Sequence, residues 1–495
     1  MKIMLLFPSW TSEYGIAKWF GKKTATWQPL NLSLLAAIAE REGHEVRIID
    51  GEAENMSLSK VVKETIAFNP DLIGLTGATP FYYMAVELAR ELKKADSRIP
   101  IAIGGAHITI LRDKAFNRCF DYGFIGEADE SFPEFLSGKN ISEVKGILYR
   151  NNGNVRFTGE VEPIDDIDSL PVPARHLLKM DKYKIGTSQG TKHFTSIMFS
   201  RGCPFSCIFC STGLFGKKVR RRSAKLIVDE MESVVKGYNI RHFVFADDNL
   251  TLDRKYMLEM CRLIKGKKLS ITFEGGTRAN LFDEELVKEM AEAGLIRVGF
   301  GLETVDTEMR KIIRKEVPLE SYRVANKLAS KYGIECLNPV IIGLPTETRK
   351  TINKTLAFLK ESHEIKQSNS SIAMPYPGTE LYNMAKRGDY GLKLLTEDYS
   401  KYIRYGSAVM QVGEFSPSDL VKLQQKAIVS IYSAYWRWIP LLRRGGVVGT
   451  FLTVCQLILN IISANLNRGK KNDALRPKSS GLKNKSNSIV LKDIK

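Results

Sequence analysis

Three thiols stand close together in the chain: Cys203, Cys207 and Cys210, within Ser200-Arg201-Gly202-Cys203-Pro204-Phe205-Ser206-Cys207-Ile208-Phe209-Cys210. Seven cysteines in 495 residues are too few for a disulfide framework. In a reducing compartment such a cluster points to a metal or redox centre. The other four, Cys119, Cys261, Cys336 and Cys455, lie in apolar or mixed surroundings and read as small core residues. A closed structural zinc site takes four ligands, and CxxxCxxC with no histidine nearby in sequence is one short, so a distant residue would have to complete it. Three thiolates also suit a [4Fe–4S] cluster with one iron left open for a substrate or cofactor.

The elements that must carry this loop follow from hydrophobic periodicity. From residue 195, strand-like runs at 195–200, 242–246, 270–274, 296–301, 335–342 and 370–373 alternate with amphipathic stretches at 224–236, 254–265, 284–293, 319–332 and 350–361. This alternation predicts an open (β/α)6 barrel whose function gathers at the carboxyl ends of its strands, and the cysteines directly follow the first strand. Earlier in the chain, strands at 2–7, 45–50, 71–76, 99–103 and 121–125 alternate with helices at 30–42, 57–68, 81–94 and 131–136. The expected fold class is α/β: a doubly wound, Rossmann-like parallel sheet, then the barrel, then a helical C-terminal region. Expected boundaries are 1–140 for the first domain and 141–194 for a linker with a small hairpin around Asn151-Asn152-Gly153. The barrel would span 195–390, the helical region 391–466, and a basic, disordered tail 467–495.

Ligands of doubly wound sheets lie beyond the carboxyl ends of the strands. Those ends read Leu75-Thr76-Gly77-Ala78-Thr79-Pro80 and Ile103-Gly104-Gly105-Ala106-His107, small residues and hydroxyls that let a bulky ligand approach the backbone. No GxGxxG follows the first strand, which disfavours a nicotinamide or flavin site. Apolar residues make up 44% and charged residues 26% of the chain, the balance of an ordinary globular protein of about three domains. The net charge of +18 is concentrated, with nine Lys/Arg against two Asp in 467–495 and a second cluster at Lys217-Lys218 and Arg220-Arg221-Arg222. No nucleic-acid-binding motif accompanies it, so no nucleic-acid partner is expected.

The cysteine motif, with Phe209 before its last cysteine, resembles that of the radical S-adenosylmethionine (SAM) enzymes. That likeness implies a [4Fe–4S] cluster held by Cys203, Cys207 and Cys210, with SAM chelating the open iron and Phe209 beside it. Reductive cleavage of SAM would give a 5′-deoxyadenosyl radical that abstracts hydrogen from an unactivated carbon. Phe245-Ala246-Asp247-Asp248-Asn249 stands where the family binds the SAM amino group, which brings in Asp247 and Asp248. Thr277-Arg278-Ala279-Asn280 offers Arg278 for the carboxylate, and Gly299-Phe300-Gly301-Leu302-Glu303 offers Glu303 for ribose or amine. Ile341-Ile342-Gly343-Leu344-Pro345 resembles the glycine-rich turn near adenine, bringing in Gly343.

Gln28-Pro29-Leu30-Asn31-Leu32, Gly43-His44-Glu45-Val46, Gly104-Gly105-Ala106-His107 and Gly126-Glu127 resemble the cobalamin (B12)-binding domain that precedes many such barrels. Tyr376-Pro377-Gly378-Thr379-Glu380-Leu381-Tyr382 is similar to a segment of the same subfamily, the anaerobic magnesium-protoporphyrin cyclase and hopanoid methylase type. The likeness spans about residues 1–390 and implies cobalamin contacts at Thr76, Thr79, Gly104, Gly105 and His107. The cobalt-ligating Asp-x-His-x-x-Gly motif of methionine synthase is missing, so His44 and His107 are expected to be loop or packing residues rather than cobalt ligands. The implied reaction is methyl transfer to a carbon radical, a second SAM restoring the methyl donor, with flavodoxin or ferredoxin as electron donor. Cyclisation, rearrangement, oxygen insertion, or a domain that has lost its B12 are the alternatives.

Residues 445–467 run without a charge, with Val447, Val448, Phe451, Leu452, Cys455, Ile458, Leu459, Ile462 and Leu466 at helical spacing. Arg443-Arg444 and Arg468 flank them, and Trp436 and Trp438 precede them. Two readings stand: an amphipathic helix on an anionic membrane surface, with a lipid or hydrophobic substrate, or a helix packed on the barrel. The N-terminus carries no signal-peptide pattern, so a cytoplasmic protein is expected, peripheral to a membrane on the first reading.

Overall fold

Residues 2–7 bury four side chains in a row, Ile3, Met4, Leu5 and Leu6, which requires a strand covered on both faces. The computed structural model, which describes residues 1–9, 26–187 and 189–437, makes this β1 (Lys2–Phe7), the second strand from one edge of a seven-stranded sheet. It is followed by α1 (Leu30–Arg41), β2 (Glu45–Asp50), α2 (Leu58–Phe68), β3 (Leu72–Thr76), α3 (Tyr82–Ala95), β4 (Ile101–Gly104), α4 (Ala106–Leu111), β5 (Tyr122–Phe124) and α5 (Ser131–Leu136). Ile3 and Leu5 share a core with Leu32 and Ala36 of α1. Met4 and Leu6 share another with Val61 and Phe68 of α2 and Leu88 and Leu92 of α3, so the sheet is doubly wound.

The strand order is β2-β1-β3-β4-β5, all parallel, continued by β6 (Ile147–Asn151) and β7 (Asn154–Phe157) in antiparallel pairing. The hairpin expected within the connector is thus the edge of the N-terminal sheet. It covers β5, which would otherwise present unpaired backbone, and buries Ile147 and Leu148 in doing so.

A second hairpin, β8 (Lys184–Thr187) with β9 (Gly190–Ile197), opens the barrel and was not expected from the sequence. β10 (Ser200–Arg201) and β11 (Arg220–Arg221) form a small antiparallel ladder. Next come α6 (Ala224–Tyr238), β12 (His242–Phe245), α7 (Arg254–Gly266), β13 (Thr272–Thr277), α8 (Glu284–Glu292), β14 (Leu295–Phe300), α9 (Thr307–Ile312), α10 (Leu319–Lys331) and β15 (Glu335–Leu337). They are followed by β16 (Val340–Ile342), α11 (Arg349–Glu361), β17 (Ser370–Ile372), α12 (Glu380–Arg387) and α13 (Pro417–Tyr432). β9, β12, β13, β14 and β15 pair in parallel in that order, and bridges Glu303–Val340 and Leu337–Gln367 carry the wall on to β16 and β17. The strand expected at 335–342 is broken at Asn338-Pro339, where proline removes a ladder donor. Asp253, Asp283 and Asp306 cap α7, α8 and α9 through their side chains, which fixes where each return helix starts.

The two α/β layers are stitched by buried polar contacts. Gln28 accepts hydrogen bonds from Thr195 Oγ1 at 2.8 Å and Ser196 N at 3.0 Å, and the Tyr183 hydroxyl donates to Asp50 at 2.7 Å. Trp438, the amphipathic stretch 445–467 and the basic tail lie outside the described residues. Among the described residues no helix is long and apolar enough to cross a membrane.

Candidate functional site

The cysteines occupy the loop closed by the β10–β11 ladder, in which Arg201 faces Arg220. Gly202 turns the chain into this loop with φ +96°, and a Cβ there would come within 2.2 Å of the Lys218 carbonyl oxygen, so only glycine fits. Inside the loop, Cys203 N donates to Gly216 O at 3.2 Å and Cys210 N to Cys207 O at 3.1 Å. Neighbouring elements hold it from outside: Ile208 N donates to Ile313 O, Leu381 N to Ile208 O, and the Cys207 thiol points at Arg314 O. All three thiols are free and partly exposed. Burial pushes the thiols of Cys203 and Cys207 up, while the positive charge of Arg278 opposes it at both. Among the described residues no three His, Cys, Asp or Glu side chains converge tightly enough to hold a single metal ion. Three soft thiolates in one loop, with no histidine beside them, are the donor set of an iron–sulfur cluster.

Several of the charged residues singled out from the sequence gather around these thiols. Asp248 and Arg278 lie in the electrostatic neighbourhood of Cys203, and Arg278 and Glu303 in that of Cys207. The Arg278 guanidinium stacks 3.7 Å over the Phe205 ring, and its Nε is buried with no hydrogen-bond partner. Such an orphaned donor beside the cysteines is what an incoming carboxylate would satisfy. Glu303 adopts φ +61°, rare for a residue with a side chain, and accepts from Lys315 Nζ at 2.7 Å. That ion pair packs on Gly301, where a Cβ would fall 2.2 Å from Glu303 Oε1 and 2.4 Å from Lys315 Nζ. Lys315 also stands 5.9 Å over the Phe209 ring. Lys315 and the buried Arg310, which lies 6.0 Å over Tyr322, were not singled out from the sequence. Their approach depends on the turn after α9, and no local pattern announces it.

Asp247 is placed differently from its neighbour. Its carboxylate accepts from Ser200 N and Ser200 Oγ, both at 2.6 Å, and from Phe199 N at 3.2 Å. It therefore braces the segment entering the cysteine loop, and burial raises its carboxyl to about 7. At the glycine-rich turn, Gly343 has φ +90°, and its N–H donates to Glu347 Oε2 at 2.7 Å. Burial pushes the Glu347 carboxyl up to about 7. The folded chain thus holds this proton more tightly than the unfolded chain does. The resulting stability is complete below the ordinary glutamate range and is lost as pH rises to about 7. Glu347→Gln should therefore flatten the fall in stability between pH 4.5 and pH 8 by about 3 kcal/mol. Urea titrations of the metal-free chain at the two pH values measure this, and parallel curves for parent and variant would contradict it.

Beyond the carboxyl ends of β1, β3, β4 and β5 lies a cavity of about 560 Å³. Thr76, Gly104 and Gly105 line it, as expected from the sequence. Gly105 has φ +101°, and a Cβ on it would stand 3.0 Å from both Gly77 O and Thr76 Oγ1, so the strand-end loops nest backbone to backbone. Thr79 and His107 are not among the lining residues. The helical turn of α4 sends Ala106 and Thr109, three residues apart, toward the cavity and turns His107 away from it. His107 Nδ1 pairs with Thr79 Oγ1 at 3.2 Å, and its ring packs on Tyr82 and Tyr399 with centroids 4.3 and 4.8 Å away. Burial depresses its pKa to about 4, the behaviour of a packed neutral imidazole. None of the described lining residues is a histidine. The opposite wall comes from the barrel, where Met198 follows β9 and Ala246 follows β12, with Ser200, Arg201, Leu214 and Phe215 of the cysteine loop region. The cavity and the mouth of the barrel therefore share a wall. A largely apolar, glycine-lined space beyond a doubly wound sheet fits a large planar cofactor.

Family models agree with this division of the chain. The model described as the radical SAM superfamily matches residues 197–359, and the one described as the B12 binding domain matches residues 21–136. The chain is 34% identical over 439 residues to an uncharacterized methyltransferase of Pyrococcus horikoshii, covering 87% of this chain and 92% of that one. It is 28% identical to the anaerobic magnesium-protoporphyrin IX monomethyl ester cyclase of Rubrivivax gelatinosus, covering 81% and 72% of the two chains. In fold it is similar to a radical SAM methyltransferase from Kitasatospora setae, solved with cobalamin and a [4Fe–4S] cluster bound. The TM-score is 0.67 at 17% identity, over 88% of each chain.

Proposed function

The chain belongs to the radical SAM enzymes that carry an N-terminal B12-binding domain, and from that premise we propose that it transfers a methyl group to an unactivated carbon of a small-molecule substrate. Its cofactors are a [4Fe–4S] cluster, SAM and cobalamin. When bound, the cluster and SAM supply a carbon-centred radical that takes hydrogen from the substrate, and cobalamin supplies the methyl group that replaces it. The chain's own residues bind and orient. Cys203, Cys207 and Cys210 would hold the cluster, beside Phe205 and Phe209, over which Arg278 and Lys315 stand. Arg278 would grip the SAM carboxylate, Asp248 and the Glu303–Lys315 pair would receive its amine and ribose, and the turn at Gly343 would stand beside adenine. The loops at Thr76 and Gly104-Gly105 seat the corrin.

The single observation that carries methyl transfer is the shared wall. Met198 and Ala246, which follow β9 and β12, also line the cavity, and this supports a reading in which one substrate meets both hydrogen removal and methyl delivery. A lipid or hydrophobic substrate is supported by the amphipathic pattern of 445–467 together with the basic residues that flank it and the tryptophans that precede it. To test the cobalamin that this reaction requires, the full chain is isolated without air from cells supplied with hydroxocobalamin. It should retain stoichiometric cobalamin beside its iron, whereas a chain that carries the cluster and no cobalamin would reject the reading.

Arg278 gives a sharper test of the SAM assignment. Replacing it with methionine removes a charged, otherwise unsatisfied donor, so SAM should bind the cluster-loaded chain about 10–100-fold more weakly. Arg278→Lys should recover only part of this, since an ammonium cannot form the fork. Binding isotherms measure both, and an unchanged affinity in Arg278→Met would remove the assignment.

A further inference from the structure

A buried, charge-balanced cluster joins the cysteine loop to the cavity. Glu127 and Asp129 sit on the segment after β5, and Arg201 and Arg220 face each other across the ladder that closes the cysteine loop. Their side chains are only 3–7% exposed. Arg201 Nη1 donates to Glu127 Oε2 at 2.5 Å and also to Asp129. Arg220 forks onto both oxygens of Glu127, with Nη1 at 2.9 Å from Oε2. Arg220 Nη1 also reaches Ile164 O at 2.7 Å. Glu127, Asp129 and Arg201 line the cavity, and Arg201 lies two residues before Cys203.

We infer that Glu127 is a positioning residue: by gripping both strands at the base of the cysteine loop from the rim of the cavity, it sets where the iron–sulfur cluster stands relative to the cobalamin. The inference rests on the cofactor reading above. Two charges of each sign cancel inside a low-dielectric seam, and removing one acid leaves two guanidiniums without their shared acceptor. Among the described residues Asp129 pairs with Arg201, on one strand of the ladder, whereas Glu127 pairs with both Arg201 and Arg220 and so spans the two. The dipeptide Gly126-Glu127 was part of the likeness to the B12-binding domain; its link to the cysteine loop appears only in three dimensions.

The test uses the full chain as Glu127→Gln and Glu127→Asp. In the metal-free protein, amides 203–219 should exchange hydrogen at least about tenfold faster in Glu127→Gln, with the strands of both sheets unchanged. In the reconstituted, reduced protein, pulsed EPR of the chains loaded with both groups should show the magnetic coupling between the cluster and cob(II)alamin shifted and broadened in both variants relative to the parent. Glu127→Asp, one methylene shorter with its charge kept, decides the matter where Glu127→Gln does not fold. Unchanged coupling in a folded, loaded variant overturns the inference. So does failure of both variants to fold, which makes the seam a stability element only. A parent chain that binds no cobalamin instead rejects the functional reading, so the two failures are told apart.

Discussion

Cys203→Ala should leave a folded protein that contains almost no iron and forms 5′-deoxyadenosine at least about 10³-fold more slowly, a barrier increase of about 4 kcal/mol. The loop does not depend on that thiol for its shape. Gly202 makes the entry turn, the β10–β11 ladder closes the base, and backbone hydrogen bonds to Ile313 and Leu381 hold the outside. The side chain is also partly exposed, so its truncation leaves no cavity in the core. The same reasoning reverses for Cys336, which is 7% exposed and belongs to the hydrophobic core. Cys336→Ala should keep its iron and its SAM cleavage and lose about 1 kcal/mol of stability. Iron content, 5′-deoxyadenosine yield and a thermal melt of the metal-free chain separate the two variants. Equal iron in both would mean that the three thiols are not the ligands.

Ala78→Trp should divide the chemistry at its other joint. Ala78 is exposed on the loop after β3 and lines the cavity, so an indole can enter that space without displacing the core. Bound cobalamin should fall at least about tenfold, and methyl transfer with it, because a filled pocket must be emptied before the corrin can seat. Iron content and SAM cleavage should stay within about twofold, since the cysteine loop does not rely on that side chain. Val429→Trp, at a position 56% exposed outside the cavity, serves as the control and should change neither. The measurements are cobalamin per chain and 5′-deoxyadenosine per iron. Full cobalamin retention in Ala78→Trp would move the corrin out of this cavity.

What could be read from the sequence follows from how local each signal is. The cysteine motif is contiguous, and parallel strands place their terminal loops on one edge, so the grouping of Thr76, Gly104 and Gly105 around one cavity is legible in the sequence. Barrel strand ends are as regular, which is why Asp248, Arg278 and Glu303 stand near the thiols. Side-chain direction within a short helix is a finer matter. A one-residue difference sends Ala106 into the cavity and His107 onto Tyr82. Adjacent aspartates diverge in the same way: Asp247 turns back to Ser200, and Asp248 lies near Cys203. Contacts between distant segments leave no trace in periodicity. Glu127 meets Arg201 and Arg220 across the two domains, Lys315 reaches Glu303 by the turn after α9, and the 147–157 hairpin finds β5 only because that edge needs a partner.

One measurement bears most directly on the central claim that this chain joins radical SAM chemistry to cobalamin. The anaerobic protein is reconstituted with iron, sulfide and hydroxocobalamin, given SAM and a strong reductant, and assayed for two products. 5′-Deoxyadenosine should appear and vanish in Cys203→Ala, and S-adenosylhomocysteine should appear only when cobalamin is included. A protein loaded with both groups that forms neither product, or that forms S-adenosylhomocysteine equally well without cobalamin, would contradict the account.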